Sequence, residues 1–244
     1  MVNSVLSEVG SEKNGFSVKN KIVRVGIVGL GRSGWFNHVL TIEEMPEHFT
    51  VVAVADPNAE RCKEVSEKFK CRIHADLDSL LADENVDVVV LATPTQLHCE
   101  QTLKAFEAGK HVICEKPMAS SSEEAEKMIQ AARRAGKMLT IFQNNRYMPS
   151  FMKVREILAS GKLGRIIQIR INIHGFGRRW DWQTLKEFSG GELNNTGSHF
   201  VDQGLQLFGA EDPEVFCQLE RTLTSGDTED HVKVILQGEG SPLV

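Results

Sequence analysis

A strand-like run that leads directly into a glycine-rich turn constrains this chain more than any other feature. The apolar run 21–28 (KIVRVGIV) is followed at once by GLGRSG and then by a helix-like segment, 34–45. Taken alone, the spacing G-x-G-x-x-G could be turn chemistry, but between a strand and a helix it is typical of a dinucleotide-binding loop. The three glycines permit the tight turn, the close approach of a pyrophosphate and the packing of helix on strand. The predicted phosphate-binding residues are Gly29, Leu30, Gly31, Arg32, Ser33 and Gly34.

Short apolar runs alternate with helix-like segments as far as residue 142. Strands are predicted over 21–28, 49–56, 86–92, 111–114 and 138–142, and helices over 34–45, 58–69, 78–82, 95–108 and 121–135. Strands that are apolar throughout and separated by helices indicate a parallel sheet covered on both faces. We therefore predict an α/β fold whose N-terminal part is a Rossmann domain, a doubly wound parallel sheet.

The pattern changes after residue 144. Segment 164–174 (GRIIQIRINIH) alternates strictly between isoleucines and polar side chains, which predicts a half-exposed strand. Helices are predicted over 149–159 and 192–208, and strands over 214–223 and 231–237. This pattern favours a C-terminal α+β domain with an open, mostly antiparallel sheet. The polar face of 164–174 has no obvious cover, so a homo-oligomer is expected.

Three domains or segments follow from these patterns. They are a polar, disordered leader over 1–20, a dinucleotide-binding domain over 21–145 and a substrate and oligomerisation domain over 146–244.

Composition and charge exclude several classes of protein. The 28 basic and 33 acidic residues give a formal net charge of −5, so the chain lacks the cationic field that nucleic-acid binding usually needs. No apolar run is long enough to span a membrane, and residues 1–20 lack the pattern of a signal peptide. The five cysteines include no C-x-x-C, which favours free thiols in a reducing cytoplasm. His111 and Cys114 have an odd offset on one strand and point to opposite faces, so no metal site is predicted.

Asp56 ends the second predicted strand, 22 residues beyond Gly34. A carboxylate at this place can accept hydrogen bonds from the adenosine ribose and would repel a 2′-phosphate, which favours NAD over NADP. The alternative is a turn residue in Asp-Pro-Asn.

Three further segments follow the glycine loop in a characteristic order. They are ATPTQLH at 92–98, CEKP at 114–117 and GGELNNTGSHFVD at 190–202. With the loop, they resemble the Gfo/Idh/MocA family of nicotinamide-dependent sugar and polyol oxidoreductases, over about 21–237. Members of that family are longer and finish the second sheet with further strands. We therefore expect this chain to be C-terminally truncated, with an exposed sheet edge.

The resemblance implies roles for individual residues. Those that would line the cofactor cleft are Thr93, Pro94, Thr95 and His98. Glu115 would approach the nicotinamide ribose, and Lys116 would lie beside the nicotinamide ring and the substrate hydroxyl, before a cis-proline at Pro117. His199 matches the family's acid/base histidine. Asn195 stands where many members have aspartate, and it is assigned with Lys116 and His199 to the catalytic residues, as a group that orients rather than ionises. Asn195 and His199 would also contact the substrate.

Elementary chemistry agrees with these assignments. Oxidising a secondary alcohol needs a hydride acceptor and a base for the hydroxyl proton, and histidine titrates near neutrality. A lysine at the reacting oxygen stabilises alkoxide charge. On a helix, Asn195, His199 and Asp202 would share one face. Asp202 could therefore orient His199, or it could simply cap or pair locally.

A basic and aromatic cluster is the last candidate feature. Arg146, Arg179 and Trp180 are predicted to contact the substrate, Trp180 by stacking on a sugar ring. The alternatives are packing and, less favoured on an acidic chain, nucleic-acid binding.

The sequence thus predicts an NAD(H)-dependent oxidoreductase acting on CH–OH donors of a sugar, cyclitol or related polyol. Two other functions stay open on the same fold. One is an NAD-dependent, non-redox enzyme that cleaves glycosides, and the other is a non-enzymatic regulator that senses sugars or nucleotides. Asn195 mildly favours the regulator, and fold alone does not decide between them.

Overall fold

The N-terminal part of the protein is built on one parallel sheet. The computed structural model describes residues 22–209 and 212–244; the predicted leader, 1–20, lies outside these ranges. The strands are β1 (Val23–Val28), β2 (Phe49–Ala55), β3 (Arg72–Ile73), β4 (Val88–Leu91), β5 (His111–Cys114) and β6 (Leu139–Ile141). They pair in the order β3-β2-β1-β4-β5-β6, every pair parallel. The strand order reverses between β1 and β4, which confirms the doubly wound fold and leaves a crevice at that point.

Helices cover both faces of this sheet. They are α1 (Leu40–Glu43), α2 (Ala59–Phe69), α3 (Leu77–Leu81), α4 (His98–Glu107) and α5 (Ser122–Ala135). A π-helical turn over Gly34–Val39 leads into α1, and a 3₁₀ turn over Thr95–Leu97 leads into α4. Sequence-encoded caps fix where they begin: the Asn58 side chain accepts two backbone N–H groups at α2, and Ser121 accepts that of Glu124 at α5. Two clusters of buried apolar side chains fill the space between helices and sheet.

The C-terminal part contains two longer helices and a hairpin-like sheet. The helices are α6 (Pro149–Ala159) and α7 (Ser198–Phe208), the latter continuing a π-helical turn over Leu193–Gly197. Strands β7 (Glu214–Glu220) and β8 (His231–Gln237) pair in antiparallel register, with Glu214 opposite Gln237. This confirms an α+β arrangement with an antiparallel sheet. No helix in the described ranges has the length and apolarity needed to cross a membrane.

The strand predicted over 164–174 is wrong. The segment forms only one isolated bridge, between Gln168 and Leu243. Ile169 N–H donates to Leu243 O, and Leu243 N–H donates to Ile167 O. A strand needs hydrogen-bonding partners along its whole length, and alternation of isoleucines does not supply them. In the described part of the chain only this short contact is made, so the segment does not join a sheet.

Candidate active site

A cleft of about 740 Å³ lies at the carboxyl ends of β1, β2, β4 and β5, where the strand order reverses. Ligands of open α/β sheets bind in this place. The predicted residues that line the cleft are Gly29, Gly31, Arg32, Ser33, Asp56, Thr93, Pro94, Thr95, Glu115, Lys116, Arg179 and Asn195. Residues of the C-terminal part, including Gln183 and Gly190, close its other side.

The glycine loop has the shape that a dinucleotide phosphate requires. Gly29 adopts a φ of +90°, and a Cβ there would lie 2.5 Å from the carbonyl oxygen of Ala92. A Cβ on Gly34 would collide with the carbonyl oxygen of Gly29. At Gly31, by contrast, an added Cβ would have no protein atom within 4 Å, because this side of the loop faces the open cleft. The residues present therefore fit a nicotinamide dinucleotide, with its phosphates on this loop.

Asp56 links the glycine loop to the end of β2. Its carboxylate accepts the backbone N–H of Leu30 at 2.5 Å and that of Asn58 at 2.7 Å. Arg61 donates to the carbonyl oxygen of Leu30 at 2.7 Å. An ionised carboxylate has about four lone-pair sites, so Asp56 can still accept from a ribose hydroxyl. The turn interpretation and the binding interpretation of Asp56 are thus compatible.

We expect the Asp56→Asn variant to lose part of its discrimination against NADP. The amide keeps one oxygen as acceptor for the loop but removes the charge that opposes a 2′-phosphate. The ratio of NADP to NAD dissociation constants should fall by about tenfold, or roughly 1.4 kcal/mol. Fluorescence titration with both cofactors measures it, and Glu60→Gln, on the exposed first turn of α2, is the matched control. Tighter binding of NADP than of NAD by the unmodified protein would show that the role assigned to Asp56 is wrong.

His98 lies beneath the cleft rather than on its surface. It is 1% exposed, and its Nδ1 and Nε2 each lie 2.9 Å from a main-chain oxygen, that of Pro117 and that of Thr93 respectively. The side chain therefore joins the loop after β4 to the loop after β5. The resemblance placed it in the lining, whereas the structure places it in a supporting position behind Thr93.

Burial lowers the pKa of His98, and the two carbonyl contacts only partly oppose this. A histidine whose folded-state pKa is depressed binds fewer protons folded than unfolded, so stability is lost as the pH falls below about 6.5. We expect the free energy of unfolding to drop between about pH 7.5 and about pH 5.5, and to drop less in His98→Gln. Urea unfolding at both pH values tests this, and an equal drop in wild type and variant would contradict it.

Glu115 is also buried, at 4% exposure. Its Oε1 accepts from Asn37 Nδ2 at 3.0 Å and lies 3.0 Å from His38 Nε2. Burial alone would raise the pKa of Glu115, but the hydrogen bonds from His38 and Asn37 outweigh it, and the pKa is lowered. Sequence reasoning missed His38, which lies in the π-helical turn after the glycine loop and is 5% exposed.

Lys116 connects the two parts of the chain. Its Nζ donates to the main-chain oxygen of Asn195 at 2.7 Å, and the Lys116–Pro117 peptide is cis, as the resemblance implied. Burial lowers the pKa of the Lys116 ammonium; Glu115 opposes this effect, and Arg32 adds to it.

His199 is half-buried on α7, near Lys116. Its Nδ1 lies 2.6 Å from Oε1 of Gln143. Burial and the neighbouring charge of Lys116 lower the pKa of His199. Gln143 was not among the predicted site residues, because its pairing with a residue so far along the chain leaves no mark in local sequence.

The proposed role of Asp202 in orienting His199 is wrong. Asp202 binds Arg146 through both carboxylate oxygens, at 2.8 Å from Nε and 2.5 Å from Nη2. Asn195 does not orient His199 by its side chain either, since its Oδ1 accepts from Gln183 Nε2 at 3.0 Å.

In the basic and aromatic cluster, the two arginines predicted to contact the substrate form ion pairs with carboxylates, and the predicted tryptophan is exposed. Arg179 pairs with Asp181 at 2.7 Å and also bonds Gln183, at the rim of the cleft. Arg146 pairs with Asp202. Trp180 is 74% exposed, with the guanidinium of Arg178 6.0 Å from its ring, and does not line the cleft.

His199 itself is not among the residues that line the cleft, whereas Lys116 and Asn195 are. A Rossmann cleft closed by a second domain, with a lysine in its lining, defines a dinucleotide-dependent type of site. A model described as "Oxidoreductase family, NAD-binding Rossmann fold" matches 23–143, and one described as "GFO/IDH/MocA C-terminal domain" matches 151–243. The chain belongs to the Gfo/Idh/MocA family, and its N-terminal part is an NAD-binding Rossmann domain.

Individual relatives agree with this assignment. The chain is 30% identical over 220 residues to an uncharacterized oxidoreductase of Schizosaccharomyces pombe, covering 88% of this chain and 59% of that protein. It is 30% identical to scyllo-inositol 2-dehydrogenase (NADP(+)) of Bacillus subtilis, covering 77% and 52%. The structure of the WlbA dehydrogenase from Chromobactrium violaceum with NADH and UDP-GlcNAcA matches with a TM-score of 0.83 at 29% identity, covering 93% and 66%. The chain spans only about half to two thirds of these relatives' own lengths.

Proposed function

We propose that this protein is an NAD(H)-dependent oxidoreductase that interconverts a secondary alcohol and a ketone on a sugar, a cyclitol or a related polyol. One observation carries the proposal: Lys116 lines the dinucleotide cleft, and its Nζ donates at 2.7 Å to the main-chain oxygen of Asn195, four residues before His199 in the C-terminal part of the chain. Similarity to a scyllo-inositol 2-dehydrogenase and to the WlbA dehydrogenase, which was solved with UDP-GlcNAcA, supports a polyhydroxylated substrate.

The chain's own residues would handle the hydroxyl group. His199, whose pKa is lowered, is neutral near pH 7 and can take the hydroxyl proton during oxidation, then return it during reduction. The Lys116 ammonium has three N–H donors, so it would keep its bond to Asn195 O, donate a second bond to the reacting oxygen and stabilise negative charge there. When bound, the nicotinamide supplies the hydride acceptor for oxidation and the hydride donor for reduction.

Other residues would hold the cofactor and the lysine in place. The glycine loop faces the phosphates, Asp56 the adenosine ribose, and Thr93, Pro94 and Thr95 the opposite wall of the cleft. Asn195 contributes its main-chain oxygen, which fixes the position of Lys116 Nζ, and so the replacement of the family's usual aspartate does not remove this contact. Arg179, at the rim, is the best placed of the predicted substrate contacts.

Two organisational proposals accompany this function. We infer that the change from dinucleotide domain to substrate domain falls near Asn145, between β6 and α6.

We also infer a homo-oligomer, because Val215, Phe216 and Leu219 on β7 are 60%, 56% and 46% exposed. Sedimentation velocity of the protein and of Phe216→Ser tests this; a monomeric wild-type protein at every concentration would contradict it.

A cofactor-reduction screen tests the proposed function. The protein is incubated with cyclitols and sugars and with NAD or NADP side by side, while reduced nicotinamide and substrate loss are followed together. We expect NADH to form with at least one cyclic polyol. Substrate loss without NADH release would instead indicate a non-redox reaction that recycles the cofactor. NAD binding with no substrate loss would indicate the sensing regulator.

A further inference from the structure

We propose that Gln143 is a positioning residue that holds the neutral His199 ring with its proton on Nδ1, so that Nε2 is the atom that exchanges a proton with the substrate. The proposal rests on the proposed role of His199 for its functional consequence. Its structural part, the position of the ring proton, can be tested without any turnover.

The amide of Gln143 is oriented by a second contact. Its Nε2 donates to the main-chain oxygen of Ser198 at 3.2 Å. A carbonyl oxygen can only accept, so the nitrogen of the amide must face Ser198 and the oxygen must face the His199 ring. Oε1, at 2.6 Å from Nδ1, can likewise only accept. Nδ1 must therefore carry the proton, and in the neutral ring Nε2 has the free lone pair.

The segment that carries Gln143 is docked firmly on α7. The 3₁₀ turn over Asn144–Tyr147 receives a bond from Gln203 Nε2 to the main-chain oxygen of Asn145, at 3.1 Å. The ion pair between Arg146 and Asp202 joins the same two elements. Next to Gln143, Phe142 N–H donates to Cys114 O at the end of β5. Gln143 is thus held between the Rossmann sheet and the helix of His199.

A neutral acceptor suits a base with a lowered pKa. The charged groups that act on His199 are Lys116, which lowers its pKa, and Glu115 and Asp202, which raise it. Asp202 is paired with Arg146, and Glu115 Oε1 accepts from Asn37 and lies 3.0 Å from His38 Nε2. A carboxylate in place of the Gln143 amide would add an uncompensated negative charge at Nδ1 and favour the imidazolium. The amide orients the ring without that charge.

The first test is the ring-nitrogen NMR spectrum of protein labelled with ¹⁵N-histidine, with His199→Gln used to assign the signal. We expect the neutral His199 ring to carry its proton on Nδ1 in the unmodified protein. In Gln143→Met, which has a similar size but no amide, the signal should shift toward the Nε2-protonated form. A wild-type proton on Nε2, or an unchanged tautomer in Gln143→Met, would overturn the proposal. Because no turnover is needed, this result stands apart from success or failure of the proposed function.

The second test is kinetic. Gln143→Met should lower kcat by about tenfold, the lower end for loss of an orienting partner, with little change in NAD affinity. At high pH, Gln143→Glu should retain more activity than Gln143→Met. It should also move the acidic limb of the pH–kcat profile to a higher pH, by about one pH unit. Gln218→Met, on the exposed strand β7, is the matched control. An unchanged kcat in Gln143→Met, or an unmoved profile in Gln143→Glu, would argue against a positioning role.

Discussion

Replacing His199 with alanine is expected to lower turnover by about 10²–10⁴, the usual cost of losing a positioned acid/base group. The half-buried imidazole lies near Lys116, and its lowered pKa keeps it neutral and able to accept a proton near pH 7. NAD affinity should stay nearly unchanged, because the glycine loop and Asp56 are untouched. Steady-state kinetics on a reactive polyol, with NAD titration alongside, measures both quantities.

The control for this variant is His48→Ala, a half-exposed histidine that precedes β2 and lies outside the cleft. It should retain wild-type turnover. In the unmodified protein, activity should fall as the pH drops through the lowered pKa of His199, since the protonated ring cannot accept the hydroxyl proton. Full activity in His199→Ala would remove the histidine from the proton-transfer step.

Lys116→Met should lower kcat by about 10²–10³, the range for removing one donor from a developing oxyanion. Methionine preserves much of the side-chain length but cannot donate to the reacting oxygen. It also cannot make the 2.7 Å bond to Asn195 O, which joins the two domains. We therefore expect a smaller, separate loss of stability, of about 1 kcal/mol.

Stability and catalysis can be separated for this variant. Lys116→Arg keeps a cation that can reach Asn195 O, so the free energy of unfolding should return toward the wild-type value. The kcat should stay low, because the larger guanidinium cannot replace the compact ammonium at the reacting oxygen. Lys63→Met, on an exposed part of α2, serves as the control for a surface lysine. A Lys116→Met protein with wild-type kcat would exclude the lysine from the chemistry.

The sequence was most informative where local order determines geometry. The glycine loop has to lie between a strand and a helix, and the structure places Gly29 and Gly34 where a Cβ would strike backbone atoms. The apolar strands separated by helices gave the parallel sheet for the same reason, since burial on both faces leaves a continuous apolar run.

The sequence could not predict which side chains or strands pair when they lie far apart along the chain. Helical periodicity placed Asp202 and His199 on one helix face. It could not show that Asp202 forms an ion pair with Arg146, from the turn after β6, or that His199 is hydrogen-bonded to Gln143. Likewise, the strict alternation over 164–174 describes side-chain direction only. Whether a strand forms depends on a neighbouring strand, and among residues 22–209 and 212–244 the segment makes a single bridge, to Leu243.

The most direct test of the central claim is isotope transfer from the reacting carbon. The protein is incubated with NAD and a cyclitol deuterated at its ring carbons, and cofactor and product are analysed by mass spectrometry. We predict that the reduced cofactor gains one deuterium and that a ketone forms in equal amount, both lost in the Lys116→Met, His199→Ala double variant. The claim would be contradicted if the protein bound NAD but no cyclitol or sugar transferred deuterium to the cofactor and no ketone formed.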